Sequence, residues 1–305
     1  MQLRSLRAFV EVVRQGGFSQ AARVVHSTQS TVSKAVQSLE DEVGERLLDR
    51  GGHRSSLTAA GEIVYRRALA LLAERDDLTR ELAELKGLKQ GALRLGLPPI
   101  GSDTLFAPLF ATYRRLYPGI DVRLVEHGSQ RLEELLLTGD IDLAGLLGPV
   151  KPEFESQEVR REPLMVMVSR KHPLSRKKTM TLADAAQLPF ILFEEGFALN
   201  PIILNACARQ GVKPTVTARS GQLPFIVELA AAGLGVAFFP RLIAEQYENP
   251  GIRRVLLTDD ETQWRLVLAW RRGGYVSHAA RAWLDLARQA HSLGKPVPRH
   301  LPGRR

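Results

Sequence analysis

The fold is decided by residues 19–37, which read SQAARVVHSTQSTVSKAVQ. The first part predicts a short helix capped by Ser19, in which the alanines at 21–22 let a second helix approach closely. Residues 26–27 then form a tight turn, and Thr28 is placed to cap the next helix. The pattern therefore indicates two helices joined by a sharp turn.

The second of these helices has two contrasting faces. Its inward positions are apolar, namely Val32, Val36, Leu39 and Val43. Its outward positions are polar and long-armed, namely Gln29, Ser30, Ser33, Lys34 and Gln37. In a helix-turn-helix such a face enters the major groove, where Gln can pair with adenine and Lys can donate to guanine. By residue type alone, an ordinary three-helix bundle with a solvated face fits equally well.

The flanking segments complete a small domain. A preceding helix is predicted from apolar residues at three- and four-residue steps, and it ends at Gly16-Gly17; these residues are Leu3, Leu6, Phe9, Val10 and Val13. Downstream, two short strands at 47–50 and 55–57 would form a wing around a basic tip. Arg50, His53 and Arg54 are candidates for contacts with the DNA backbone or minor groove, although loop arginines are commonly only solvated.

These residues resemble the winged helix-turn-helix of LysR-type transcriptional regulators. The spacing of the matching residues fits the family pattern without a gap over about sixty residues. The matching residues are Ser19 to Ala22, Thr28 to Ser30, Val32 to Lys34, Leu39, Glu40, Gly44, Leu47, Arg50, Leu57, Thr58 and Gly61. The resemblance implies sequence-specific DNA binding by a dimer of dimers. Two positions depart from the family pattern: Leu48 replaces the usual phenylalanine, and His53 stands near a position that is often arginine.

A long helix follows the wing. From Thr58, a capping candidate, to residue 85 there is no proline, and apolar residues recur every seven positions at Val64, Leu71, Leu78 and Leu85. A helix of this length extends about 40 Å, too far to bury itself on a sixty-residue domain. We expect it to pair with its copy in a dimer, the alternative being packing within its own chain.

Beyond Gly91 the sequence alternates between β-rich and helical patterns. Strands are predicted at 92–97, 121–126, 141–147, 164–169, 190–193, 236–239 and 266–270, and helices at 104–116, 130–137, 225–232 and 278–291. The family resemblance, looser here, implies a periplasmic-binding-protein-like sensor of two lobes, with chain crossings near 161–164 and 260–264. The predicted domains are 1–58 (DNA-binding), 59–90 (linker and dimerisation), 91–162 (lobe I), 163–262 (lobe II), 263–292 (return to lobe I) and 293–305 (basic tail).

Composition and charge limit the function classes. With 305 residues, 44% of them hydrophobic, the chain is long enough for two or three domains and is not a disordered protein. Eight basic residues and one acidic residue follow residue 270, so much of the net charge of +9 lies at the C-terminal end, most simply as a solvated tail. Neither a secretory signal nor a membrane helix is predicted, which places the protein in the cytoplasm.

The sequence contains no recognisable motif for enzymatic chemistry. Cys207 is the sole cysteine and is expected to fill space in the core, and the seven histidines are scattered. The glycines at 233 and 235 lie between a helix and a strand, the reverse of the order in a phosphate loop, so a helix cap and tight turn explain them. We predict no catalytic residues, no metal site and no cofactor.

A binding cleft remains, and the helix starts indicate its chemistry. Ser102, Ser129 and the segment 220–222 each place backbone N–H groups beside a side-chain donor, which favours an anion, although each serine alone could be a simple cap. The candidate effector residues are Pro99, Ile100, Gly101, Ser102, Ser129, Phe193, Phe197 and Gln222. A small carboxylate fits best, because Glu194 and Glu195 oppose a large polyanion.

The sequence thus predicts a winged helix-turn-helix, a long linker helix and a two-lobed α/β sensor. The expected function is that of a LysR-type transcriptional regulator, and the partners are double-stranded DNA, a small effector and further copies of the chain. The alternative is a cytoplasmic solute-binding module whose N-terminal bundle only mediates oligomerisation.

Overall fold

The computed structural model describes residues 1–49, 56–85 and 91–292, without the side chains of residues 83–85 and 291–292. Contacts divide the chain into two compact units, the first built mainly from residues before 89 and the second mainly from those after it. None of the helices in the described ranges is long and apolar enough to cross a membrane.

The N-terminal unit is a helical domain with a small two-stranded sheet. Its elements are α1 (Leu3–Gln15), α2 (Phe18–Val24), α3 (Gln29–Val43), β1 (Leu48–Asp49), β2 (Ser56–Leu57) and α4 (Ala59–Leu85). The two strands are antiparallel, and Leu48 lies opposite Leu57. The order of elements is that of a winged helix-turn-helix, as predicted.

Local chemistry sets the helix ends. Gly16 adopts the left-handed conformation at φ 73°, which a residue without Cβ adopts at no steric cost, and its N–H donates to the Val13 carbonyl at the end of α1. Thr28 caps α3 as predicted, because its Oγ1 accepts a hydrogen bond from the Thr31 N–H at 3.2 Å.

Two of the sequence predictions for these helices were wrong. Ser19 does not cap α2, because the helix already begins at Phe18 and its cap position is Gly17. Val43 does not face the core but is 38% exposed, since it lies in the last turn of α3, four residues beyond the buried Leu39.

The core of this unit joins three helices. Phe9 of α1 and Val36 and Leu39 of α3 are fully buried, and the ring of Tyr65 from α4 meets Phe9 edge to face at 6.3 Å. Apolar side chains of the first half of α4, including Val64, pack against this core. The core therefore holds α3 rigidly, with its polar face outward.

Hydrogen bonds from backbone N–H groups join the wing and α4 to this core. The Glu40 carboxylate accepts the N–H of Leu47 at 2.8 Å, and the Leu47 carbonyl accepts the N–H of Thr58 at 3.1 Å. Thr58 caps α4 as predicted, accepting the Gly61 N–H at 3.0 Å. Gly61 itself lies so close to the residue before β1 that a Cβ there would be 2.0 Å from the Leu47 carbonyl oxygen.

The seven-residue stripe on α4 divides into two parts. Val64 does not belong to an exposed seam, because the start of the helix is packed on its own domain. Leu71 and Leu78 are 44% and 57% exposed, and Leu82 beside them is 51% exposed. The side chain of Leu85 lies outside the described residues.

In the described residues, the C-terminal unit contains three sheets with helices against them. A five-stranded sheet has the order β4-β3-β5-β13-β6, and a four-stranded sheet has the order β11-β7-β12-β8. A parallel pair, β9 and β10, meets the four-stranded sheet through a bridge between Phe190 and Val236. The strands are β3 (Ala92–Leu97), β4 (Asp121–Glu126), β5 (Leu143–Leu147), β6 (Phe154–Glu162), β7 (Leu164–Ser169), β8 (Thr179–Met180), β9 (Phe190–Phe193), β10 (Val216–Ser220), β11 (Ala237–Pro240), β12 (Ile252–Leu257) and β13 (Trp264–Arg271).

The helices of this unit connect and cover the sheets. They are α5 (Ser102–Leu105), α6 (Ala107–Leu116), α7 (Ser129–Leu137), α8 (Leu182–Ala185), α9 (Leu199–Arg209), α10 (Leu223–Ala231), α11 (Arg241–Ala244) and α12 (His278–Ser292). The single helix expected at 104–116 is broken at Phe106, because Pro108 has no N–H to continue the ladder and begins a new helix instead.

The chain passes between the two lobes twice, as the resemblance implied. It leaves the five-stranded sheet where β6 ends at Glu162 and enters the other sheet where β7 begins at Leu164. It returns after β12, through the 3-10 turn Asp260–Thr262, to β13. The two-lobed α/β sensor is confirmed; the numerical domain bounds remain predictions.

Candidate DNA-reading surface and effector cleft

The outer face of α3 carries the predicted reading residues. Gln29, Ser30, Lys34 and Gln37 are exposed, and Ser33 is half-buried. They project from a helix whose opposite face is anchored by Val32, Val36 and Leu39 at 2% exposure or less. A rigid helix that exposes amide, hydroxyl and ammonium groups is the arrangement that reading of base edges requires.

Gln29 is oriented by the preceding helix. The Ser19 hydroxyl donates to Gln29 Oε1 at 3.2 Å, so Ser19, wrongly predicted as a cap, positions the first side chain of α3 instead. The amide oxygen of Gln29 has a second lone pair, and its NH₂ group can still donate. Gln29 therefore keeps the groups needed to pair with adenine. The wing candidates Arg50, His53 and Arg54 lie outside the described residues.

Several of the predicted effector residues meet between the two lobes. They surround a small cavity of about 20 Å³, lined by Pro98, Pro99, Ile100, Gly128, Ser129, Leu147, Phe197, Ala198, Leu199 and Trp264. The lobes touch here, because a Cβ on Gly128 would lie 2.7 Å from the carbonyl oxygen of Gly196. A space of this size holds about one water molecule, so the cleft is closed.

Phe197, which follows β9, lines the cleft and is supported by Phe193 at the end of that strand. Phe193 is buried and stacks on Phe197 with ring centroids 5.1 Å apart. The buried Asn200 fixes this loop: its Oδ1 accepts the Phe193 N–H, and its Nδ2 donates to the carbonyls of Phe193 and Glu194. Sequence reasoning missed Asn200, since an asparagine in the first turn of a helix is commonly a surface residue.

Four predicted effector residues do not line the cavity, namely Gly101, Ser102, Phe193 and Gln222. The Ser102 hydroxyl donates to the Pro98 carbonyl oxygen one turn earlier, so its proton is already used within the chain. Gln222 is exposed, and its backbone N–H donates to Ser220 Oγ at 3.1 Å. The Glu194 carboxylate lies beside Gly221, 3.2 Å from where a Cβ would stand. That carboxylate makes the third helix start a poor place for an anion.

Trp264 is the main cleft residue that the sequence did not indicate. It is fully buried at the start of β13, and its indole Nε1 has no hydrogen-bond partner. The same ring lies against Gly101, where a Cβ would be 3.2 Å from Cη2. A buried donor without a partner is rare in native structures. It would offer a hydrogen bond to a ligand that entered beside the ring.

The environment of Cys207 disfavours reaction of its thiol. Cys207 is buried in α9, and burial raises the pKa of its thiol, which disfavours the reactive thiolate. Among the described residues, no group of three or more His, Cys, Asp or Glu side chains is placed to hold a metal ion.

Comparison with known proteins identifies both parts of the chain. Residues 3–62 match the bacterial regulatory helix-turn-helix family of the lysR type, and residues 86–292 match the LysR substrate-binding domain. The HTH-type transcriptional regulator YwbI of Bacillus subtilis, itself uncharacterised, is 33% identical over 286 residues, which cover 93% of this chain and 95% of that protein.

Several solved structures resemble the whole chain, among them those of OxyR and BenM. Full-length OxyR from Pseudomonas aeruginosa, in a form with one cysteine replaced by aspartate, aligns with a TM-score of 0.69 and 25% identity over 99% of both chains. Full-length BenM aligns with a TM-score of 0.60 and 26% identity over 98% of this chain and 100% of that one.

The fold and its two sites therefore define a one-component regulator in which a DNA-binding head is joined to a ligand sensor. The chain belongs to the LysR family of transcriptional regulators, with a helix-turn-helix DNA-binding domain and an effector-binding domain. This result decides against the plain three-helix bundle and against the solute-binding module. The family and the relatives found are regulators rather than enzymes.

Proposed function

We propose that this regulator reads DNA with the outer face of α3, chiefly through Gln29, Ser30, Ser33, Lys34 and Gln37, and that a small effector between the sensor lobes controls it. The observation that carries the proposal is the polar, exposed face of a capped helix whose other face is locked in the domain core. Arg50, His53 and Arg54 of the wing would add contacts to the backbone or minor groove.

An effector that binds in the small cavity must open the lobes to enter it. A cavity of about 20 Å³ is too small for any metabolite, so an effector that enters between Ser129, Phe197 and Trp264 separates the two lobes. The protein then has two states with different affinities for the ligand, which is the condition for a population shift. A small organic anion is our candidate, with Ser129 and the N–H groups that begin α7 as donors.

The exposed leucines of α4 support assembly into an oligomer. Leu71, Leu78 and Leu82 lie about one and two turns apart on one helix and are each more than 40% exposed. Pairing with a second copy would bury them, as in a coiled coil. We propose a dimer through this seam, a dimer of dimers as the complete assembly, and the cytoplasm as its location.

A mobility-shift assay with the DNA upstream of its own gene tests the DNA-reading proposal. The wild-type chain should bind, and Lys34→Ala should bind more weakly. Thermal unfolding in the presence of a metabolite panel tests the effector proposal, because a ligand at one hundred times its dissociation constant stabilises the folded state by about 2.7 kcal/mol. Specific DNA binding that no α3 substitution alters would contradict the proposal.

A further inference from the structure

A larger groove lies beside the closed cleft. It has a volume of about 630 Å³, and it shares Leu147 and Ala198 with the lining of the small cavity. Its apolar side includes Pro149 of the first lobe and the α9 residues Pro201 and Ile202 of the second lobe. It is therefore an open space next to the cleft, large enough for a metabolite.

Arginines dominate the charges around this groove. Arg161, Arg209 and Arg265 line it, together with a single carboxylate from Glu261. Arg209 donates to Glu261, so these two charges cancel. Arg161 and Arg265 both donate to the same oxygen, Oε2 of Glu158, at 3.1 and 2.5 Å. Two guanidiniums share one carboxylate, and one positive charge is left over.

The sheet holds the two arginines side by side. Arg161 on β6 and Arg265 on β13 are directly paired partners in the antiparallel register. Each side chain is about half exposed, so solvent or a ligand can reach the guanidinium groups. Two adjacent guanidiniums of this kind match the oxygens of a carboxylate or phosphate, which they can bind in bidentate fashion.

We propose that this groove binds the anionic head of the effector, an organic carboxylate or phosphate on an apolar body, through Arg161 and Arg265. The inference rests on the proposed function, because it assumes that the sensor responds to a small ligand. The apolar body would lie along Pro149, Pro201 and Ile202, towards the closed cleft. In this site the guanidinium groups are the main donors to the anion. Ser102 is not, because its proton is used within the chain.

The charges around the groove also explain how the site is kept ready without a ligand. Glu158 holds both guanidiniums in place, and the hydrogen bond from Arg161, followed by that from Arg265, lowers the pKa of its carboxyl. An entering oxyanion competes with Glu158 for these donors. Removing the Glu158 charge should therefore strengthen anion binding, whereas a purely structural ion-pair network would only lose stability.

The test compares three probes on the full-length chain by thermal unfolding over a concentration series. The probes are 4-phenylbutyrate, phenyl phosphate and the uncharged 4-phenylbutyramide. At least one of the two anions should raise the unfolding temperature at concentrations where the amide does not. The better anion shows whether the head is a carboxylate or a phosphate. If neither anion stabilises the protein more than the amide does, the proposal is wrong.

Substitutions test whether the anions bind in this groove. Arg161→Gln and Arg265→Gln should each weaken anion binding about tenfold, the loss expected for a charge-assisted hydrogen bond. Glu158→Gln should strengthen it severalfold. Arg131→Gln is the matched control, since Arg131 is similarly exposed and forms an ion pair with Glu134 away from the groove. If one arginine variant does not fold, the other carries the same test.

Two results would overturn the assignment. One is unchanged anion binding in both groove variants, and the other is an equal loss in Arg131→Gln. DNA binding is measured on the same preparations and should stay at the wild-type level in every variant. A failure of DNA binding in the wild-type chain would instead count against the proposed function, so the two ideas fail separately.

Discussion

At the residue scale, Gln29 and Lys34 share one surface of α3 but are expected to do different things. Gln29, held by Ser19, has the amide groups that distinguish adenine from other bases. Lys34 is an exposed point charge that suits a phosphate. Gln29→Ala should change the preference at one base position by about 1–3 kcal/mol, whereas Lys34→Ala should weaken all sequences alike and reduce the salt dependence.

Binding to a randomised DNA library separates these effects. Gln37→Ala, at the far end of the same face, serves as a comparison. If Gln29→Ala and Lys34→Ala both retain wild-type affinity and base preference, α3 is not the reading helix.

Ser129 and Ser102 give a second contrast between residues of the same type. Ser129 lines the cleft, whereas Ser102 donates its proton to the Pro98 carbonyl. Ser129→Ala should raise the effector concentration needed for a response about tenfold. Ser102→Ala should mainly lower the unfolding temperature without effector. A larger loss of response in Ser102→Ala than in Ser129→Ala would reverse the roles we assign to them.

At the element scale, the contact between α4 and Leu47, the residue before β1, depends on a single glycine. A Cβ at position 61 would be 2.0 Å from the Leu47 carbonyl oxygen, and that backbone is tied to Glu40. Gly61→Ala should therefore destabilise the N-terminal domain by about 1–3 kcal/mol, the usual cost of overpacking. Gly91→Ala is the control, because a Cβ there meets nothing within 4 Å. Equal unfolding temperatures for both variants would show that the contact adapts without cost.

The second half of α4 carries the prediction about assembly. Leu78→Asp would place an unpaired carboxylate opposite its own copy in a buried seam, so the helix pair should dissociate. DNA affinity should fall as well, because two tethered heads bind far better than one. Thr79→Asp adds the same charge one residue away, off the leucine stripe, and should leave the dimer intact. A Leu78→Asp protein that sediments as a dimer would show that the stripe has another use.

The elements also show what the sequence could predict. Helices with strong apolar periodicity and caps, such as α1 and α3, and the apolar strands β7 and β9 were found close to their observed bounds. The strands β6, β8, β10 and β12 were missed. β6 is made mostly of polar residues, chiefly Glu, Arg and Gln, and owes its strand form to pairing with β13, which a local pattern does not reveal.

The effector cleft was predictable only in part, because some of its residues are brought together by long-range strand pairing. The loops at the ends of β3 and β9 follow recognisable strands, so Pro99, Ile100 and Phe197 were found. Trp264 and the paired arginines Arg161 and Arg265 become neighbours of these loops only because the chain crosses twice between the lobes. Residues brought together by such long-range pairing leave no local signal.

At the scale of the whole molecule, the chain joins a reading head to a sensor through a helix of 27 residues. A ligand that separates the lobes changes the second unit without touching α3. In an oligomer joined through α4, such a change can alter the distance between heads while each head keeps its own base contacts. The regulator would then respond to its effector by changing which pairs of half-sites it can occupy.

The most direct test of this view is a footprint on the upstream DNA, repeated over a range of salt concentrations. We expect protection of paired half-sites related by a dyad, with centres separated by about one helical turn or a multiple of it. The affinity should fall steeply as salt rises, because phosphate contacts release counterions, and Lys34→Ala should reduce that slope. A single protected site without dyad symmetry, with an affinity independent of salt, would contradict DNA reading by an oligomer through α3.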